Sequence, residues 1–236
     1  ANPQVFYLKQ GKGDGTRKLY TRSGFGGAEQ LLFDPSATGG GKRMTIDAYL
    51  AAPDGRHVAI GVAAGGSENT SLIVVDVQSA RIKGEAIDRI GFFAGTHWTP
   101  DAKAFFYNRL PPEVPGAATN RYLRSTAFRH VLGRAADKDE AVFGPGRGAS
   151  LADIDIPSVA MSDDGKLLVG KVEHGDLREI SLYVAPVGDF RQVPEWKRAI
   201  EPKDEVTAYA MHDRALYLLT HHNAPRYKVV RTGLAR

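Results

Sequence analysis

The sequence predicts an all-β chain built from four-stranded propeller blades, and two observations carry that prediction. Short segments rich in β-branched and aromatic residues, such as Val5-Phe6-Tyr7-Leu8, Leu72-Ile73-Val74-Val75, Ala104-Phe105-Phe106-Tyr107 and Leu216-Tyr217-Leu218-Leu219, are bounded by Gly, Pro, Asp and Asn. They read as strands, and no long helical periodicity competes with them. The second observation is an internal repeat: an alternating strand, a tight acidic turn, an apolar strand, a polar loop, then another strand.

The repeat occurs four times. It runs from Tyr49 through Pro53-Asp54-Gly55 to Ile60 and on to Leu72–Val77. It returns from His97 through Pro100-Asp101-Ala102 to Tyr107, continuing over 122–132. A third copy runs from Ala160 through Asp163-Asp164-Gly165 to Val169 and then Ser181–Val184. The fourth is degenerate, from Tyr209 through His212-Asp213-Arg214 to Tyr217 and then Tyr227–Val230. Successive turns, at positions 53, 100, 163 and 212, stand 47, 63 and 49 residues apart, a period that fits one four-stranded blade per copy. Pro presets φ for the turn, Asp bonds its own backbone, and Gly takes positive φ before the next strand. The long interval holds Pro111–Asn120, too rich in Pro and Gly for a strand. Residues 1–45 form a partial blade with strands at Val5–Leu8, Arg17–Tyr20 and Gln30–Phe33. Full blades are expected over about 46–90, 91–143 and 155–200, and a partial one over 205–236. All belong to a single open propeller fragment spanning 1–236.

Composition excludes several classes. A hydrophobic share of 42% and a charged share of 25% are those of an ordered globular protein. No apolar run reaches the roughly 18 residues that span a bilayer, so no membrane partner is expected. The N-terminus shows no basic and apolar leader pattern, so a signal peptide is expected to be absent or removed. The absence of cysteine excludes disulfides, thiolate metal sites and a cysteine nucleophile. The compartment stays open between cytoplasm and periplasm. The net charge of +4 is scattered and forms no basic block, so no nucleic-acid partner is expected.

The ordered set of these segments resembles the propeller domain of prolyl oligopeptidase-type serine peptidases. The resemblance rests on Pro53-Asp54-Gly55-Arg56-His57-Val58-Ala59-Ile60-Gly61 with Gly65-Gly66-Ser67 and Val75-Asp76-Val77. It continues through His97-Trp98-Thr99-Pro100-Asp101 with Phe105-Phe106-Tyr107-Asn108-Arg109, then His130-Val131-Leu132-Gly133 with Asp139-Glu140-Ala141-Val142. Ser162-Asp163-Asp164-Gly165-Lys166 and the run from Leu219 to Tyr227 follow in order. It covers nearly the whole chain. It implies part of a seven-bladed ring that caps an α/β-hydrolase domain of the same parent protein. That ring restricts access to short peptides, which are cut after proline. The family's N-terminal segment, its further blades and its hydrolase domain have no counterpart here, so the chain is expected to be a piece of a longer protein. The resemblance also places Phe93 and Ile156 at the substrate pocket, and matches Pro111–Asn120 to a mobile loop near the active site. Ordinary packing between blades is the competing account for both residues. A binding or scaffold propeller with no peptidase attached is the alternative reading.

Within the sequence itself no catalytic residue is expected. The nearest approach to a G-x-S-x-G elbow, Gly148-Ala149-Ser150-Leu151-Ala152, lacks the second glycine. Ser67 sits in a polar loop. Gly11–Thr16 and Gly144–Gly148 lack phosphate-loop spacing and read as turns. Seven histidines are scattered, and His221-His222, read as strand residues, point to opposite faces. No metal site and no cofactor are expected. Asp54, Asp101 and Asp164 have a sufficient structural role at turns, and Asn69-Thr70-Ser71 fits a glycosylation sequon.

Overall fold

The computed structural model describes residues 3–38, 40, 43–65, 67–113 and 121–234. Of the Pro111–Asn120 insertion, residues 114–120 lie outside the described residues. The chain is all-β, with an open propeller's meander of sheets and short 3-10 turns. It divides into two compact units, Ala1–Phe93 with Leu132–Lys138, and Ala94–Val131 with Asp139–Arg236. No helix among the described residues is long and apolar enough to cross a membrane.

In the first unit, β1 (Gln4–Lys9), β2 (Lys18–Ser23) and β3 (Gln30–Phe33) form a three-stranded antiparallel sheet. A four-stranded meander follows: β4 (Met44–Ala51), β5 (His57–Ala64), β6 (Thr70–Asp76) and β7 (Arg81–Ile90). Leu19, Leu32 and Phe33 of the first sheet pack with Ile46, Val58, Ile60, Val62, Ile73 and Val75 of the second.

The second unit opens with β8 (His97–Trp98), β9 (Ala104–Arg109), β10 (Thr126–Val131) and β11 (Glu140–Pro145), with β12 (Gly148–Ala149) running parallel to β11. The next sheet holds β13 (Asp155–Met161), β14 (Leu167–His174), β15 (Ile180–Pro186) and β16 (Lys197–Ile200). The last holds β17 (Val206–His212), β18 (Ala215–Thr220) and β19 (Lys228–Gly233). The middle strands are covered on both faces. In β14, Leu168 and Val172 join a core with Phe106, Phe143, Val159, Tyr183 and Trp196. Val169, pointing the other way, joins Ile180, Leu182, Val206, Leu216 and Leu218. This two-sided burial is why these strands read as unbroken apolar runs rather than as alternation. The outermost strand β16 is solvent-facing and reads as charged, Lys197-Arg198.

The repeat seen in the sequence recurs as one hydrogen-bond pattern. Gly55, Ala102 and Gly165 donate their N–H to Ala52, Thr99 and Ser162 carbonyls at 2.9, 2.9 and 2.8 Å. The Asp54, Asp101 and Asp164 carboxylates accept the N–H of Arg56, Lys103 and Lys166 at 2.9, 3.1 and 3.1 Å. Each turn thereby fixes the register of the two inner strands of its blade. All four turns hold a left-handed residue, Gly55, Ala102, Gly165 and, in the degenerate copy, Asp213.

Candidate functional site

Phe93, in the first unit, is half-buried at the start of the 3-10 turn Phe93–Gly95. Its ring lies on the strand behind it, against a glycine. A Cβ on Gly61 of β5 would stand 2.8 Å from Phe93 Cδ2 and 3.2 Å from Thr70 Cγ2. The bare backbone of Gly61 is thus the seat of the ring, a partnership that residue types 32 positions apart do not announce.

Ile156, in the second unit, is half-buried on β13 and stands opposite Glu173 of β14. The strand around it is held firmly. Asn108, fully buried on β9, donates to the Pro157 carbonyl at 2.9 Å and to Ser125 Oγ at 3.0 Å. Lys171 donates to Glu173 at 2.6 Å. His97 is kept neutral, its pKa pushed down to about 4 by burial and then by the Lys171 charge. Ile156 thus stands across from one partner of the Lys171–Glu173 ion pair.

A Ser-His-Asp arrangement also occurs in this unit, with no motif along the chain to announce it. His174 donates from Nδ1 to Asp155 Oδ1 at 2.8 Å and accepts at Nε2 from the Ser181 hydroxyl at 2.8 Å. These are the distances of a hydrolytic triad. Access decides against that role. Ser181 is 2% exposed and Asp155 5%, and Ser181 pairs with Val172 inside the sheet. No substrate carbonyl reaches such a hydroxyl, and its backbone N–H is not free to line an oxyanion hole. The chain instead ties β13, β14 and β15 together. Gly148-Ala149-Ser150 opens no helix, since Gly148–Ala149 is the short strand β12. A second buried network, Tyr107 donating to Asp139 at 2.8 Å with His130 at 3.0 Å from the same carboxylate, is likewise internal. Burial, then the Asp139 charge, holds the Tyr107 phenol well above its ordinary range.

The histidines differ from expectation in one respect. His221 and His222 are not strand residues, because β18 ends at Thr220. In the turn that follows, Nδ1 of each faces the same Glu205 oxygen, at 3.6 and 3.3 Å. Opposite-face geometry therefore does not apply to them. Asp163, His212 and Asp213 bring three donor atoms within 4.8 Å of one another, all on exposed residues.

Comparison with known proteins agrees with this architecture. The family model for the prolyl oligopeptidase N-terminal β-propeller domain matches residues 1–236. Prolyl oligopeptidase A of Galerina marginata is 25% identical over 210 residues, covering 81% of this chain and 28% of the relative. A solved structure from a study of two prolyl endopeptidases superposes with a TM-score of 0.80 at 26% identity, over 98% of this chain and 33% of that one. Prolyl oligopeptidase B of the same fungus, bound to a 35mer hydrolysis and macrocyclization substrate, gives 0.77 at 19% identity, over 99% of this chain and 35% of that one. The chain thus spans about a third or less of the length of these relatives. It belongs to the prolyl oligopeptidase family, as part of its N-terminal β-propeller domain.

Proposed function

We propose that this chain is the non-catalytic, substrate-gating portion of a serine peptidase, controlling how short peptides reach a separate α/β-hydrolase domain that cuts them after proline. The observation that carries the reading is the family match along the full chain. It is supported by a Ser-His-Asp arrangement whose serine is 2% exposed and so offers no nucleophile. Phe93 and Ile156 are the side chains assigned to contact with peptide. Both are half-buried, with some surface left to offer a ligand.

The test is a chimera in which this chain replaces the matching segment of a solved prolyl endopeptidase. Proline-containing peptides of increasing length are then supplied. The expected result is cleavage confined to short peptides, with Phe93→Ala and Ile156→Ala raising KM more than they lower kcat. A folded, active chimera with no length cut-off, and no response to either substitution, would overturn the gating reading.

A further inference from the structure

We propose that a polar cavity at one end of the first four-stranded meander binds a small molecule bearing an oxyanion, a phosphate or a carboxylate, through Arg56 and Lys83. The cavity holds about 520 Å3, inside the roughly 300–1,000 Å3 of small-molecule sites. Arg56 comes from the turn between β4 and β5, and Lys83 from the start of β7. Gln4 and Gln30 reach it from the first sheet, and Asp76 and Gln78 from the end of β6 and the turn after it. All of them belong to the first unit. The proposal is independent of the gating reading, because Phe93 follows the far end of β7, at the opposite end of the meander.

Which charges are already committed decides the sign of the ligand. Asp76 is the one carboxylate in the lining among the described residues, and its own turn uses it. Oδ1 accepts the Ser79 N–H at 2.8 Å and the Ser79 hydroxyl at 2.6 Å. Neither Arg56 nor Lys83 makes an ion pair among the described residues. Lys83 Nζ instead lies 3.4 Å from His57 Nε2. An ammonium can only donate, so the imidazole accepts there and leaves the lysine charge uncancelled. Arg56 is anchored through its backbone, whose N–H donates to Asp54 at 2.9 Å, and the residue is exposed.

The neutral lining adds donors. Gln30 donates from Nε2 to the Val77 carbonyl at 3.1 Å, and Gln4 to Thr21 Oγ1 at 2.6 Å. Each carboxamide nitrogen carries two hydrogens, so each keeps one for a ligand after fixing its own position. Two uncommitted cations and a set of amide donors, against one committed acid, favour an anion with several oxygens. The guanidinium fork suits two oxygens of one phosphate or carboxylate at once, and the ammonium supplies a second charge. The cavity is larger than a bare phosphate, which leaves the carboxamides for hydroxyls of the same molecule.

The experiment titrates the 236-residue chain by calorimetry at low salt with inorganic phosphate, glucose 6-phosphate, citrate and glucose. Circular dichroism confirms the β fold of every variant. Saturable one-site binding is expected for the oxyanions and none for glucose. Binding of the phosphates alone identifies a phosphate ligand, and binding of citrate alone a carboxylate. Arg56→Gln and Lys83→Gln should each weaken binding about fivefold or more, and added sodium chloride should weaken it too. Lys103→Gln is the control. Its N–H meets Asp101 as that of Arg56 meets Asp54, but it does not line the cavity, and binding should be unchanged. Asp76→Asn keeps an acceptor for Ser79, removes the opposing charge and should tighten binding. No saturable binding of any oxyanion, or glucose bound as tightly as glucose 6-phosphate, would overturn the proposal. So would affinity unchanged when Arg56→Gln and Lys83→Gln are combined, or an equal loss in Lys103→Gln. Weaker binding in Asp76→Asn would make the carboxylate a ligand contact and overturn it as well.

Discussion

Replacing Gly170 with alanine tests whether glycine holds β14 against an aromatic cluster that cannot give way. An added Cβ would stand 2.8 Å from Phe143 Cε1 and 3.1 Å from both Cδ1 and Cζ, against roughly 3.5–4.0 Å for a comfortable carbon contact. Phe143 is fully buried. Its ring is confined by Trp196 at 4.5 Å and Tyr183 at 5.3 Å between centroids, and Trp196 is itself tied to the Val142 carbonyl at 3.2 Å. Overpacking of this kind costs about 1–3 kcal/mol. Relief of glycine's entropy in a strand returns about 0.5–1 kcal/mol, so a net loss of about 1–2 kcal/mol is expected. Gly61→Ala is the control. There the same 2.8 Å approach is to Phe93, a half-buried ring with solvent beside it, and the net change should be near zero. Urea unfolding followed by tryptophan fluorescence reads both, since Trp196 lies in the affected cluster. In a double-mutant cycle, Phe143→Leu should offset part of the Gly170→Ala loss. Equal effects at positions 170 and 61, or a Gly170→Ala chain as stable as wild type, would refute the reasoning.

Gly165→Ala isolates backbone strain, because nothing lies within 4 Å of the added carbon and φ is +69°; a loss of about 1 kcal/mol in urea unfolding is expected. His97 should make the fold acid-sensitive. Its pKa falls from 6.5 to about 4 on folding, so between those values the unfolded chain binds a proton that the folded chain does not. Stability is then complete above about pH 6.5, falls as pH falls, and levels off below about pH 4. The total is on the order of 3 kcal/mol, and His97→Asn should flatten the profile. Ser181 should resist serine-directed phosphonate reagents, and the chain should hydrolyse no proline-containing peptide. Ser181→Ala should nevertheless cost about 1–2 kcal/mol by leaving His174 without its donor, and labelling at Ser181 would refute the burial reading. Leu219 and Val229, paired across β18 and β19 and 36% and 66% exposed, should make the chain self-associate; sedimentation across a concentration series should show this, and Val229→Lys should reduce it.

What was legible in the sequence was whatever repeats locally. A blade's middle strand is buried on both faces, so it must be apolar throughout, and Ala104-Phe105-Phe106-Tyr107 and Leu72-Ile73-Val74-Val75 show that directly. The acidic turn is equally local, since Asp54 needs only the N–H two residues ahead. The sites were hidden because they depend on register. Asp155, His174 and Ser181 meet because β13 pairs 155 with 174 and β15 lays 181 beside 172; no spacing rule in the chain encodes that. The Gly61 seat of Phe93 is invisible for the same reason. His221 and His222 were misplaced by a single strand end. Extending β18 by two residues puts them on opposite faces, but Thr220 Oγ1 accepts the His222 N–H and donates to the Asp204 carbonyl at 3.0 Å each. That hydroxyl ends the ladder, turns the chain, and brings both imidazoles to Glu205. A side chain that stops a strand can thus decide whether neighbouring residues face apart or converge, and one hydroxyl here sets the difference between scattered histidines and a cluster with a common partner.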